Sequence, residues 1–164
     1  MFTTLRCRIR PFREEDLDAF MRYRNDEHWM RYQGFKGLTK EQYRDALLDD
    51  SPMDKGMQLA VVGKASDGLI GDLYVQRDGE ACWIGCTITP EYARQGYAQE
   101  SIRGLLDWLT NRQECVRFFA GVCPDNAASN ALMKTMGFRY LHFDPEANEN
   151  IYSLDPAVLP DKSF

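Results

Sequence analysis

Positive charge, histidine and long apolar runs are all scarce in this chain, and each shortage removes a class of function. Twenty Lys and Arg stand against 25 Asp and Glu, a net charge of −5 in 164 residues. Holding a nucleic-acid backbone needs a basic face, so no nucleic-acid partner is expected. A negative balance suits cationic partners such as amines instead. No apolar stretch reaches the roughly 20 residues that cross a bilayer, so no membrane association is expected. The N-terminal Met-Phe-Thr-Thr-Leu-Arg-Cys-Arg has no apolar signal core, which makes a cytoplasmic location the expectation.

The two histidines, His28 and His142, stand isolated. The five cysteines (Cys7, Cys82, Cys86, Cys115 and Cys123) form no Cys-x-x-Cys and have no neighbouring His pair, so no metal site is expected. Reduced, mostly buried thiols are the expectation for them. The chain also lacks Gly-x-Gly-x-x-Gly and an acidic ribose ligand, which argues against a dinucleotide-binding domain. It has no repeats, linkers or low-complexity tracts. Its length suits a single domain over 1–164, with a loose tail over 156–164.

Residues 5–9 alternate as Leu-Arg-Cys-Arg-Ile, the period of a half-buried strand. Leu17, Phe20, Met21 and Arg24 predict a helix over 13–25. Thr39-Lys40-Glu41-Gln42 is a capping box ahead of a second helix running to about Asp50. Strands follow at 58–63, 69–76 and 81–89, separated by turns at Ser66-Asp67-Gly68 and Asp78-Gly79. A long helix over 98–109 leads to a strand at 116–123. Asn126 then caps a helix with Ala128, Ala131, Leu132 and Met136 on one face, ended by Gly137 as a left-handed cap. Strands at 138–143 and 150–154 close the chain. The class is α+β with about seven strands.

The most informative segment is Thr-Pro-Glu-Tyr-Ala-Arg-Gln-Gly-Tyr-Ala, residues 89–98. A turn that feeds directly into a helix leaves unpaired N–H groups at the helix's positive end, a place suited to a pyrophosphate. Gly96 has no Cβ, so a phosphate can approach its backbone closely. About thirty residues downstream stand Asn126-Ala127-Ala128-Ser129 and then Gly137-Phe138. In this order and spacing the two segments resemble the GNAT superfamily of acyl-CoA-dependent N-acyltransferases. The nearer likeness is to its ribosomal-protein N-terminal acetyltransferases of the RimJ and RimL type, and it is strongest over 68–140.

That resemblance implies a mixed, mostly antiparallel sheet with helices on both faces. The fourth and fifth strands (81–89 and 116–123) run parallel and splay into a V that holds the coenzyme. It implies acetyl-CoA as co-substrate, with the pyrophosphate on Arg94, Gln95, Gly96, Tyr97 and Ala98, and Glu100 in the usual following position. Asn126 and Ser129 would border the pantetheine arm. Ala93 departs from the family's frequent Gln or Arg, at the cost of one side-chain contact in a loop that works through its backbone.

Acetyl transfer from a thioester to an amine requires a polarised carbonyl, a neutral amine and a protonated leaving thiolate. By the resemblance, an unpaired backbone N–H on the strand before the loop supplies the first. Ile88 is the candidate, with Thr89 beside it among the coenzyme contacts. The family's frequent Tyr acid is replaced by Met133, and Ser129 occupies the place of the Ser that the RimL-like branch uses. The family's Glu base is replaced by Trp83. Asp72, Glu80 and Glu91 lie near the right strands but read as solvated charges.

A missing base suits an α-amino acceptor, which titrates at about 7.7–8.0 against about 10.4 for lysine. Trp29, Met30, Tyr32, Phe35 and Tyr43 either wall the acceptor site or pack onto the sheet. The expected reaction is direct attack by a primary amine, a peptide α-amine or a small cationic amine, in a ternary complex. No cysteine has a His within four positions to activate it for a covalent route. The alternative is a GNAT-fold module that binds acyl-CoA without turnover, as a sensor or assembly subunit. The expected assembly is a monomer or homodimer.

Overall fold

Alternating strands and well-placed turn residues build one eight-stranded sheet in the computed structural model, which describes residues 1–156. The strands are β1 (Phe2–Thr3), β2 (Cys7–Pro11), β3 (Met57–Gly63), β4 (Leu69–Asp78), β5 (Ala81–Ile88), β6 (Arg117–Val122), β7 (Arg139–Asp144) and β8 (Glu149–Leu154). The helices are α1 (Leu17–Arg24), α2 (Lys40–Leu47), α3 (Tyr97–Asn111) and α4 (Ala127–Thr135). Across the sheet the order is β1-β2-β3-β4-β5-β6-β8-β7. This is the expected mixed sheet with one strand more. β1 pairs Phe2 with Ile9 and Thr3 with Arg8, and two residues are too few to show a period in sequence. Apart from Pro156, the expected tail lies outside the described residues.

Both turns form where their residues predict. Gly63 N–H donates to the Gly68 carbonyl at 3.0 Å, with Asp67 at φ 56°. Asp78 pairs directly with Ala81, leaving a tight link in which Gly79 adopts φ 62°. The capping box of α2 is complete: Gln42 N–H meets Thr39 Oγ1 at 3.2 Å, and Thr39 N–H meets Gln42 Oε1 at 2.9 Å. The helix stops at Leu47 rather than near Asp50, because Asp49 and Asp50 would place negative charge at its negative end and Pro52 follows. Residues 14–16 form a 3₁₀ turn, so α1 is shorter than the expected helix over 13–25.

In α4 the packed face is shifted by one residue from the expected one. Ala128 and Ala131 are exposed, whereas Ser129, Leu132, Met133 and Met136 face inward. Alanine suits either side of a helix, so it gave the face no fixed phase. Gly137 ends the helix region at φ 91°, as expected.

Strand β3 is buried on both faces and separates two cores. Leu59 and Val61 join the core that contains Ile102, Leu105 and Phe118, beneath α3 and α4. Ala60 and Val62 point the other way, into Phe12, Phe20, Tyr23, Met30 and Tyr43 beneath α1 and α2. Trp29 and Phe35 pack against this second core, so much of the aromatic group named above packs onto the sheet.

Strands β5 and β6 run parallel but pair only over Ala81–Arg117, Cys82–Phe118 and Trp83–Phe119. Beyond that point they separate into the expected V. The Trp83 and Phe119 rings stack with centroids 5.2 Å apart where the strands still touch. The expectation of five reduced cysteines is corrected here. Cys82 and Cys115 form a disulfide, with Cα atoms 6.0 Å apart, while Cys7, Cys86 and Cys123 are free. Parallel pairing across the crossover helix joins residues 33 apart in sequence, a proximity that spacing alone does not reveal.

Candidate active site

The V opens into a cavity of about 930 Å³. Ile84, Gly85, Cys86 and Thr87 of β5 form one wall, and Ala120, Gly121 and Val122 of β6 with Cys123 form the other. Met133 lines it from α4, at the position that lacks the family's Tyr. Tyr32 and Phe35 line it from the connection between α1 and α2.

At the α1 side lies a buried charged cluster. Asp72 on β4 is 1% exposed and Arg24 on α1 is 4% exposed, and Arg24 Nη2 donates to Asp72 Oδ1 at 2.6 Å. Gln58 Nε2 donates to the same oxygen at 2.5 Å, and the Tyr23 hydroxyl donates to Asp72 Oδ2. Burial and the Asp72 charge push the Tyr23 phenol well above its ordinary value. Burial alone would lower the Arg24 pKa, but Asp72 holds it raised. Asp72 is therefore not the solvated charge its polarity suggested. β4 is covered on both faces over Ile70, Gly71, Asp72 and Leu73, and Asp72 is tolerated there because it is fully partnered. Glu80 and Glu91 are exposed, as expected.

Opposite this cluster stands Glu149, at the start of β8 and half-buried on the cavity wall. Burial raises its carboxyl above the ordinary range, and the nearby Asp144 adds to the effect. A Cβ on Gly121 would come within 2.6 Å of Glu149 Oε2, so the carboxylate lies directly over the β6 backbone inside the V. Glycine at 121 makes room for it.

Asn126 and Ser129 line the same cavity. Asn126 Oδ1 accepts from Ser129 N–H at 3.3 Å, so Asn126 is also the N-cap of α4. Asn130 fixes this helix end to the strand that bears Glu149. Its Nδ2 reaches the Asn126 carbonyl at 2.8 Å, and its Oδ1 accepts from Tyr152 at 2.6 Å and from Asn150 at 3.1 Å.

At the open end of β5, Thr89 N–H donates to the Ile70 carbonyl at 2.9 Å. Antiparallel alternation then turns the backbone of Ile88 away from β4, toward the V. In agreement, the Ile88 carbonyl accepts from Trp29 Nε1 at 3.0 Å. Thr89 Oγ1 is buried without a hydrogen-bond partner among the described residues. Arg94 (φ 61°) and Gly96 (φ 83°) both take left-handed backbone, and Gly96 is the N-cap of α3 without a side-chain cap. The N–H groups of Tyr97 and Ala98 thus begin a fifteen-residue helix whose positive end is open.

Arg6 braces this loop. It donates to the Gln95 carbonyl at 3.0 Å and to Glu100 at 2.6 Å, and lies 3.9 Å over the Tyr97 ring. Burial would raise the Glu100 carboxyl, but hydrogen bonds from Thr4 and Arg6 hold it below its ordinary value.

Of the expected site residues, Asn126 and Ser129 meet in the cavity. Ile88, Thr89, Arg94, Gln95, Gly96, Tyr97 and Ala98 lie outside its lining, along the rim from β5 into α3. Arg24, Gln58 and Glu149 carried no sequence signal, since each is a lone polar residue without a motif. Among the described residues no cluster of three or more His, Cys, Asp or Glu is placed to hold a metal ion. Likewise, among them no helix is long and apolar enough to cross a membrane.

Residues 6–139 match the acetyltransferase (GNAT) domain family. The chain belongs to the GNAT acetyltransferase family. It is 30% identical over 139 residues to the uncharacterized N-acetyltransferase YnaD of Bacillus subtilis (strain 168), covering 84% of this acetyltransferase and 81% of that protein. Among solved structures it shares its fold with a GNAT acetyltransferase from Bacillus anthracis, with a TM-score of 0.81 at 23% identity over 93% and 96% of the two chains. Mycobacterium smegmatis RimJ in complex with CoA-disulfide gives a TM-score of 0.81 at 18% identity, over 96% of this acetyltransferase and 89% of RimJ.

Proposed function

We propose that this acetyltransferase moves the acetyl group of acetyl-CoA to a primary amine by direct attack in a ternary complex. The observation that carries this reading is one cavity, in the cleft between two splayed strands, lined by both Ser129 and Glu149. The pyrophosphate is held by the backbone of Arg94, Gln95, Gly96, Tyr97 and Ala98, at the open positive end of α3. RimJ of the same fold, in complex with CoA-disulfide, supports coenzyme A as the donor. The pantetheine arm runs down the free edge of β5 past Thr89 and Ile88, where the Ile88 N–H meets the thioester carbonyl. Asn126 and Ser129 border the sulfur end.

Glu149 supplies the base that Trp83 does not. A carboxylate whose pKa is raised by burial is better matched to removing a proton near neutral pH than a solvated one. The amine nitrogen bonds to the carbonyl carbon and the C–S bond breaks. The proton leaving the amine passes to Glu149, and the departing thiolate is stabilised by a hydrogen bond from Ser129 and takes its proton from solvent.

The free cavity cysteine on β5, Cys86, does not suit a covalent route. The Cys86 thiol is pushed far up by burial and by the Asp72 charge, which makes it a poor nucleophile. The test is release of coenzyme A thiol during incubation of acetyl-CoA with a panel of amines, followed by initial-rate kinetics. Intersecting double-reciprocal lines are expected. Coenzyme binding with no thiol release for any amine would instead establish the acyl-CoA-binding module.

A further inference from the structure

Four charged side chains line the cavity: Arg24, Arg31, Asp72 and Glu149. Arg24 and Asp72 are paired and cancel. This leaves Glu149 on the β8 side and Arg31 on the connection between α1 and α2. Arg31 is exposed, donates through Nη1 to the His28 carbonyl at 2.7 Å, and stacks over Tyr32 at 4.6 Å. Among the described residues no carboxylate lies within ion-pairing distance of it. Most of its five donors therefore remain available at the cavity wall.

We infer that the acceptor amine carries a carboxylate, and that Arg31 reads it while Glu149 receives the amine. The inference rests on the acetyl-transfer reading above and narrows its substrate class to amino acids or to peptides with an acidic group near the N-terminus. A polyamine would set its second cation against Arg31, and a neutral alkylamine would leave Arg31 without a counter-ion. Once the amine proton has moved to Glu149, the cavity is left with a net positive wall, which an acceptor carboxylate balances. The overall charge of −5 lies on the outer surface and does not describe this pocket.

The test uses matched acceptor pairs: alanine and alaninamide, Ala-Gly and its C-terminal amide, and the peptide amides Ala-Glu-Gly-amide and Ala-Gln-Gly-amide. For each pair kcat/KM is measured with the wild type, Arg31→Gln and Arg31→Lys. Comparing enzymes within a pair cancels the difference in amine pKa between its members. A lost charge-assisted hydrogen bond predicts that the preference for the acidic member falls about ten- to a hundredfold in Arg31→Gln, mainly through KM. Arg31→Lys should recover part of it. The pair showing the preference separates a main-chain carboxylate from a side-chain one. Equal use of both members of every pair by the wild type, or an unchanged preference in Arg31→Gln, overturns the inference and leaves acetyl transfer standing. Thiol release with other amines but with none of these acceptors overturns the inference alone, whereas no release with any amine refutes acetyl transfer and the inference with it.

Discussion

Replacing Glu149 by Gln keeps the shape of the side chain over Gly121 and removes its ability to take a proton. General-base catalysis is worth about 10²–10⁴ in rate. Because Glu149 is only half-buried, water can serve as a weak substitute, so the fall in kcat should lie near the low end, about a hundredfold. The wild-type rate should rise with pH through the raised pKa of Glu149 and again through that of the acceptor. In the variant only the acceptor's limb should remain.

Stability should move the other way. The folded state binds the Glu149 proton more tightly than the unfolded chain does, so the contribution of Glu149 is fullest below the unfolded value of about 4.3 and is lost as pH rises through the folded value. Glu149→Gln removes that loss and should raise Tm relative to the wild type at pH 7 but not at pH 4. Thiol release followed spectrophotometrically across pH, together with thermal melts at the two pH values, makes the measurement. A variant within threefold of wild-type kcat, or one that retains the acidic limb, would refute Glu149 as the base. Gly121→Ala is the companion variant, since its methyl displaces the carboxylate without removing it.

Ser129→Ala should lower kcat far more than coenzyme affinity; equal losses in both would make Ser129 a binding contact only. Gly96→Ala places a Cβ at φ 83° and crowds the phosphate approach, and loss of one backbone hydrogen bond to charge (about 1.5–3 kcal/mol) should weaken CoA by roughly ten- to a hundredfold in calorimetry. Unchanged affinity would move the pyrophosphate elsewhere. Asp72→Asn leaves Arg24 buried without its counter-charge, which should cost about 3–5 kcal/mol and lower Tm by roughly 6–20 °C. A shift under 2 °C would show that water relieves the cluster.

The legible features were those that neighbours in sequence determine. The loop around Gly96, the capping box at Thr39, the tight turn at Gly79 and the cap at Gly137 each depend on a few adjacent residues and the backbone angles they favour. The V followed from the resemblance these segments carry. What stayed hidden depends on convergence. Asp72, Arg24, Tyr23 and Gln58 come from separate elements, and nothing local tells a buried, partnered aspartate from a solvated one. Glu149 becomes a candidate base only because Gly121 on another strand leaves room for it. Cys82 and Cys115 meet only through the parallel pairing of β5 with β6. The phase of α4 slipped because its alanines favour neither face.

The indole of Trp29 gives the two halves of the site a shared component. It belongs to the segment whose Arg31 and Tyr32 line the cavity, yet it donates to the carbonyl of Ile88, the residue whose N–H is proposed to meet the thioester. In the proposed reading a donor seated on that N–H and the Trp29 indole hold the backbone of the same residue, so a displacement of Ile88 by one is felt by the other. By linkage, an acceptor that tightens Trp29 favours the coenzyme to the same degree. On that reading the two substrates are not independent tenants of one cleft, because both bear on the backbone of Ile88.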